Sequence, residues 1–275
     1  MGPPDLPPYA DMMAAYHEAF RDELRDAVAA AGAGPGDVVV DVACGDGSYS
    51  RWLAERVGPA GRVVAVDLCP SFLDLARRGV VAAGLADRVR FVRMDARHSA
   101  IADAAADLAW CAQSLYSLPD PVLAARGLSR LVRDGGRIAV FESDGLHHLS
   151  MPWPADVELA LRAAELAAFQ ARSDRPSKFY VARDLPRVFR EAGLPRCDVL
   201  ATASSRRAPF DAPTRRFLTA YLANLLDRSS PFLSPEIRSR VEALVDPDAP
   251  ASLLNDPDSL LVRVDLLATS PVARA

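Results

Sequence analysis

The run Val38-Val39-Val40-Asp41-Val42-Ala43-Cys44-Gly45-Asp46-Gly47 is followed by Val63-Val64-Ala65-Val66-Asp67, whose aspartate stands twenty positions beyond Gly47. The first apolar run has the length of a strand. Its glycines free the backbone to bend close to a ligand, and the amphipathic stretch from Tyr49 to Val57 then opens a helix. Such a turn brings backbone N–H groups toward a ligand. Asp67 at a strand terminus can accept both hydrogen bonds from a ribose diol. The implied ligand is adenosine-like.

A dinucleotide site of the G-x-G-x-x-G type needs a third glycine so that the helix can pack beneath a pyrophosphate. Here that position is Ser50. The spacing Asp41-x-x-x-Gly45-x-Gly47 instead resembles the first motif of class I S-adenosylmethionine (SAM) dependent methyltransferases, in their quinone-biosynthesis-like small-molecule branch. Further matches follow in order. Val89 to Ala96 reads as a strand ending in Asp95, Leu108 to Ala112 as a strand entering Gln113, and Leu131 to Glu142 as a glycine turn and fifth strand. The resemblance implies SAM as cofactor and S-adenosylhomocysteine (SAH) as its product. It implies a cofactor site made of Asp41, Ala43, Cys44, Gly45 and Gly47 on the first turn and Asp67 and Leu68 after the second strand. Asp95 and the Ala96 N–H would meet adenine, Ala112 and Gln113 would close over the ligand, and Tyr16 would reach it from an N-terminal cover helix.

Strand and helix signals alternate through this region, which implies right-handed crossovers and a mostly parallel sheet with helices on both faces. The expected fold is α/β, Rossmann-like and seven-stranded. One helix is expected over Tyr9 to Ala31, others over Asp156 to Ala171 and Asp184 to Leu194, and strands over Asp198 to Ser204 and Leu260 to Thr269. In the family those two strands form the reversed hairpin that closes the sheet. The expected organisation is an arm and cover helix at 1–34, a SAM-binding core at 35–205, a helical lid at 206–259 and a final strand and tail at 260–275.

The chain has 275 residues, 50% of them hydrophobic, enough for a large core, and a net charge of −4 without a long basic run. That balance argues against nucleic acid and for a small-molecule methyl acceptor. No apolar stretch is long enough to cross a bilayer, and the first residues lack a signal-peptide pattern, so a cytoplasmic enzyme is expected. Helical lids in the family often pair across subunits, which makes a homodimer a further expectation. Cys44, Cys69, Cys111 and Cys197 lack metal spacing and read as free thiols.

Methyl transfer from a sulfonium asks mainly for positioning and desolvation. A base is needed only where the acceptor must lose a proton. His147 and His148 follow the fifth strand, where substrate-facing loops begin, and are the candidate bases; Tyr116 is a candidate acceptor contact. His17 and His98 read as structural or solvated. Glu142 and Asp144 share a strand face but lack the further ligands of a magnesium site, so no metal is expected. Arg206, Arg207, Arg215 and Arg216 flank Phe210 in the lid, and Lys178 and Arg183 precede a helix. An arginine turned inward would favour an acidic acceptor. Two other readings remain: the same SAM pocket serving as a cage for cyclisation or rearrangement or as a binding module, and a nicotinamide oxidoreductase, which Ser50 and Asp95 disfavour.

Overall fold

Strand β1 (Val38–Val42) begins a seven-stranded sheet that continues with β2 (Arg62–Asp67), β3 (Val89–Arg93), β4 (Ala106–Ala112), β5 (Val132–Ser143), β6 (Asp198–Arg207) and β7 (Leu260–Pro271). These come from a computed structural model that describes residues 6–95, 104–172 and 179–273. In space the order is β3-β2-β1-β4-β5-β7-β6. The first five strands pair in parallel. β7 pairs antiparallel with both β5 and β6, so β7 alone is reversed and β6 runs with the others. The two closing strands pair antiparallel, as the expected reversed hairpin requires, with β7 set between β5 and β6. The chain leaves β6 at the sheet edge, crosses the face through the 206–259 segment, and returns between β5 and β6.

Nine helices among the described residues cover the sheet: α1 (Ala10–Ala19), α2 (Arg21–Ala30), α3 (Ser48–Val57), α4 (Pro70–Ala82), α5 (Pro121–Leu131), α6 (Ala155–Gln170), α7 (Val181–Glu191), α8 (Ala212–Ser229) and α9 (Pro235–Val245). Their starts follow local chemistry. Asp120 accepts from the N–H groups of Val122 and Leu123, Asp211 from Thr214 and Ser234 from Ile237, each with a proline in the first helical turn. Buried side chains form one layer on each sheet face. Leu108, Trp110 and Phe141 belong to the layer under α1, α3 and α8, while Ala109, Cys111 and Val140 belong to the layer under α5 and α7. Strand alternation sends neighbours to opposite faces.

The single helix expected over Tyr9 to Ala31 is instead two, broken at Phe20 (φ −118°, ψ 25°). Phe20 is buried edge-on against Phe217 of α8, with centroids 5.5 Å apart, and lies under the guanidinium groups of Arg206 and Arg263. Burying this ring, on the order of 1.5–3 kcal/mol, outweighs continuing the helix. The break lets α1 lie across the carboxyl ends of the strands with α8 beside it.

Candidate active site

The turn after β1 carries left-handed backbone conformations at every second residue, Ala43 (φ 60°), Gly45 (φ 52°) and Gly47 (φ 75°). A Cβ on Gly47 would stand 2.6 Å from the Cβ of Ala76, so only glycine permits this approach of the turn to α4. Asp67 closes the turn from β2: its Oδ2 accepts from the Gly45 N–H at 2.9 Å and its Oδ1 from the Cys69 N–H at 2.8 Å. The carboxylate is thereby held rigidly at the strand end, where an acid can meet a diol.

Asp41 lies beneath, 1% exposed, and accepts from the Ser50 hydroxyl at 2.5 Å. Burial pushes its pKa up to about 7; the Ser50 bond opposes this, and the charges of Asp67 and Asp46 add to it. Burial would also raise Asp46. His17 at 3.0 Å, with the Ser48 N–H, instead brings it below the usual carboxylate range. The helix α1 thus clamps the glycine turn through His17, and Met13 lies 3.5 Å from where a Cβ on Gly45 would be. His17, read from sequence as structural or solvated, is a buried partner of the turn. Tyr9 stands near Asp67 and packs at a tilt against Phe72, with centroids 5.8 Å apart; its pKa is raised by burial, then by Asp67.

A second polar group sits at the ends of β4, β5 and β7. Gln113, another left-handed non-glycine (φ 50°), gives its N–H to the Phe141 carbonyl at 2.7 Å. Its side-chain amide donates to the Tyr16 hydroxyl at 2.5 Å and to Ser143 at 3.2 Å. Ser143 donates to Asp265 at 2.7 Å. Arg263, 2% exposed, gives Nη2 to Tyr16 at 2.8 Å and Asp265 at 2.7 Å, with its face between the rings of Tyr16 and Phe20. Burial raises the Tyr16 phenol to about 12, so it is neutral. Strained backbone clustered at one sheet edge is a common mark of a functional site.

Sequence reasoning placed Tyr16 and Gln113 at the cofactor but passed over Arg263 and Asp265. Their signal was present: two opposite charges two residues apart, on the same face as Leu261 and Leu267 in an otherwise apolar strand.

Glu142 at the end of β5 accepts from the N–H groups of Ser114 at 3.0 Å and Leu115 at 2.6 Å, shaping the loop after β4. Its burial raises its pKa to about 8, although both N–H bonds pull the other way. Asp144 is bound by Arg183 at 2.5 and 2.9 Å and by the N–H of Leu146, so these two acids serve different structures. Among the described residues no group of three or more His, Cys, Asp or Glu gathers as a metal site.

Of the candidate bases, His147 is half-exposed beside Asp144 and Arg183, while His148 is buried. The His148 Nδ1–H donates to the Gly145 carbonyl at 3.0 Å, and its Nε2 meets the Tyr221 hydroxyl. Tyr221 accepts from Arg228 at 2.9 Å, so its own hydrogen goes to His148. Burial lowers His148 to about 4, which leaves a neutral ring with its lone pair engaged. Arg228 continues to Glu165, and Glu165 to Arg162. Tyr116 is 47% exposed on the loop after β4, and Leu68 is 56% exposed beside Asp67. Asp95 lies two residues past β3; Ala96, His98 and Lys178 lie outside the described residues. Of the arginines flanking Phe210, Arg206 pairs with Glu23, Arg215 with Asn255 and Arg216 with Glu18.

The donor and acceptor set discriminates between ligands. Asp41, Asp46 and Asp67 surround the glycine turn, and Ser50 uses its hydroxyl on Asp41. A pyrophosphate would face three carboxylates. A ligand with an ammonium or sulfonium and a ribose diol meets charges of the right sign, and the residues present fit SAM.

Residues 40–140 match the family model described as a methyltransferase domain, and the sheet order agrees with a class I SAM-dependent methyltransferase core. Over 105 residues the chain is 37% identical to the methyltransferase GfsG of Streptomyces halstedii, covering 38% of this chain and 37% of that protein. Over 124 residues it is 32% identical to the ubiquinone/menaquinone biosynthesis C-methyltransferase UbiE of Cellvibrio japonicus, covering 45% of this chain and 50% of that protein. The chain thus spans half or less of the length of these relatives. Among solved structures, the [4+2]-cyclase SpnF superposes with a TM-score of 0.55 at 20% identity, over 97% of this chain and 94% of that one. That likeness is one of fold. No helix among the described residues is long and apolar enough to cross a membrane.

Proposed function

We propose that this protein transfers the methyl group of SAM to an oxygen, nitrogen or carbon atom of a small-molecule metabolite and releases SAH. The observation that carries this reading is the carboxylate-lined glycine turn, with Asp67 held by two backbone N–H bonds and Asp41 buried beneath. SAM, when bound, supplies a methyl on positively charged sulfur that a nucleophile can take in line.

The chain's own part is to hold and orient. Asp67 would accept the ribose hydroxyls, with Leu68 beside it. The backbone of Ala43, Cys44, Gly45 and Gly47 forms the turn, and Asp41 offers charge to the amino-acid end. Asp95 and Ala96 would meet the adenine ring, and Ala112, Gln113 and Tyr16 would close over the methionyl end. Residues 206–259 act as a lid through α8. Tyr116 on the loop after β4 would contact the acceptor. His148 orients the Tyr221 hydroxyl rather than taking a proton, since its lone pair is engaged, and His147 faces the Asp144–Arg183 pair. Positioning and water exclusion carry the rate, on the order of 7–11 kcal/mol for well-oriented reactants.

The similarity to a cyclase makes transfer itself the point to test. Calorimetric titration with SAM, SAH and NAD, repeated with Asp67→Ala, should show micromolar SAM or SAH binding that the variant loses. Incubation with SAM and a panel of phenols, amines and enolisable carbonyl compounds should then yield SAH with a methylated product. NAD binding in place of SAM, or SAM binding with no SAH formed across the panel, refutes the proposal.

A further inference from the structure

Three side chains from separate elements leave buried hydrogen-bond donors without partners among the described residues, and they lie together on one face of the sheet. They are Arg263 of β7, through Nε and Nη1, Tyr49 of α3, through its hydroxyl, and Trp110 of β4, through its indole N–H. The Tyr49 and Trp110 rings are 5.5 Å apart, and Tyr49 and Arg263 lie within electrostatic range of each other. Arg263 already spends Nη2 on Tyr16, Asp265 and Ser143. The walls are aromatic: Phe141 lies 6.4 Å from Tyr49, and Tyr16 and Phe20 sandwich the guanidinium.

Buried polar groups in folded proteins are nearly always hydrogen-bonded, and a buried guanidinium is costly to leave short of acceptors. Every unpartnered atom in this group can donate, and two of the three side chains can only donate. What completes the group is therefore an acceptor with negative charge.

We propose that Arg263 and Tyr49, with the Trp110 indole, form a carboxylate-binding subsite at the carboxyl edge of the sheet. It rests on the proposed function, since the carboxylate belongs either to the amino-acid end of SAM or to the methyl acceptor. Tyr49 stands on the helix that follows the glycine turn, which is the cofactor side. Arg263 stands on the strand beyond β5, which is the acceptor side, so the subsite spans the junction of the two.

Tyr49→Phe is the informative variant. It deletes only a hydroxyl that has no hydrogen-bond partner among the described residues, so thermal unfolding should be unchanged or slightly improved. A structural role would lower it. Affinities of wild type and variant are measured by calorimetry for SAH, for 5′-methylthioadenosine, which lacks the amino-acid carboxylate, and for benzoate and benzamide with and without saturating SAH. Loss of one hydrogen bond to a charged acceptor predicts about a tenfold weakening. Weakening of SAH but not methylthioadenosine assigns the subsite to the cofactor carboxylate. Unchanged nucleosides with weakened benzoate, and no effect on benzamide, assign it to the acceptor. Arg263→Lys should act in the same direction on the same ligand.

If wild type binds neither nucleoside, the methyltransferase reading fails, and benzoate binding to the free protein still decides the subsite. Equal affinities in wild type and Tyr49→Phe for every carboxylate, or no carboxylate binding to wild type, overturn the proposal and leave a cluster satisfied by structural waters only.

Discussion

Cofactor binding should be coupled to a proton on Asp41, and the coupling can be worked out from the site. Burial and the neighbouring Asp67 and Asp46 hold Asp41 at a pKa of about 7 in the ligand-free protein, against an ordinary 3.8. An ammonium group arriving beside a carboxylate lowers its pKa by roughly 1–3 units. Taking about 2 units, the bound value is about 5, and SAH prefers the ionised form by about a hundredfold.

The consequences follow by linkage. Between pH 5 and pH 7 the affinity for SAH should rise roughly 25-fold, and it should level off above pH 7. At pH 7 binding should release about half a proton. Calorimetry across this range, in buffers of different ionisation enthalpy, reads both quantities. Asp41→Asn serves as the reference. Its difference from wild type isolates Asp41 from every other pH-dependent contribution, and it should bind about as weakly as acidified wild type. A wild-type affinity that does not change between pH 5 and 7, or one that changes in parallel with Asp41→Asn, refutes the coupling.

Glu142→Ala leaves the N–H groups of Ser114 and Leu115 without an acceptor and should destabilise by roughly 2–5 kcal/mol in urea unfolding, whereas Glu142→Gln keeps an acceptor and should cost far less. With the Glu142 pKa raised from 4.5 to about 8, the folded state binds the extra proton in that window. Wild type should therefore lose stability relative to Glu142→Gln as pH rises from 4.5 to 8, and equal slopes would contradict this. His148 has the opposite sign, since its pKa is lowered from 6.5 to about 4: wild type should lose stability relative to His148→Gln as pH falls from 6.5 to 4, measured the same way. Gly47→Ala puts a methyl 2.6 Å from Ala76 at a φ of 75°. It should cost roughly 1–3 kcal/mol in thermal unfolding and weaken SAH at least tenfold; full SAH affinity would show that the turn need not pack this closely.

The glycine turn and the acids around it were legible in the amino-acid sequence because their signals are local. Each strand ends within a few residues of the acid or glycine it presents, so Asp41, Gly45, Gly47 and Asp67 could be placed from hydrophobic runs and spacing alone. The parallel order followed because alternating strands and helices leave few topologies. The broken cover helix could not be read in this way. Phe20 lies in good helical register, and only the ring of Phe217, about two hundred positions away in sequence, makes a break there favourable.

Tertiary structure alone decided the polar group at the ends of β4, β5 and β7. Tyr16, Gln113, Ser143 and Arg263 come from four separate elements, and nothing in their spacing says that they meet. His148 read as a candidate base from its position after a strand. Its partner Tyr221 lies on a helix far along the chain, and that contact and its burial turn the ring into a neutral acceptor. Local sequence thus determined which residues reach the sheet edge, while long-range packing determined which of them are charged, satisfied or left with a hydrogen bond to give.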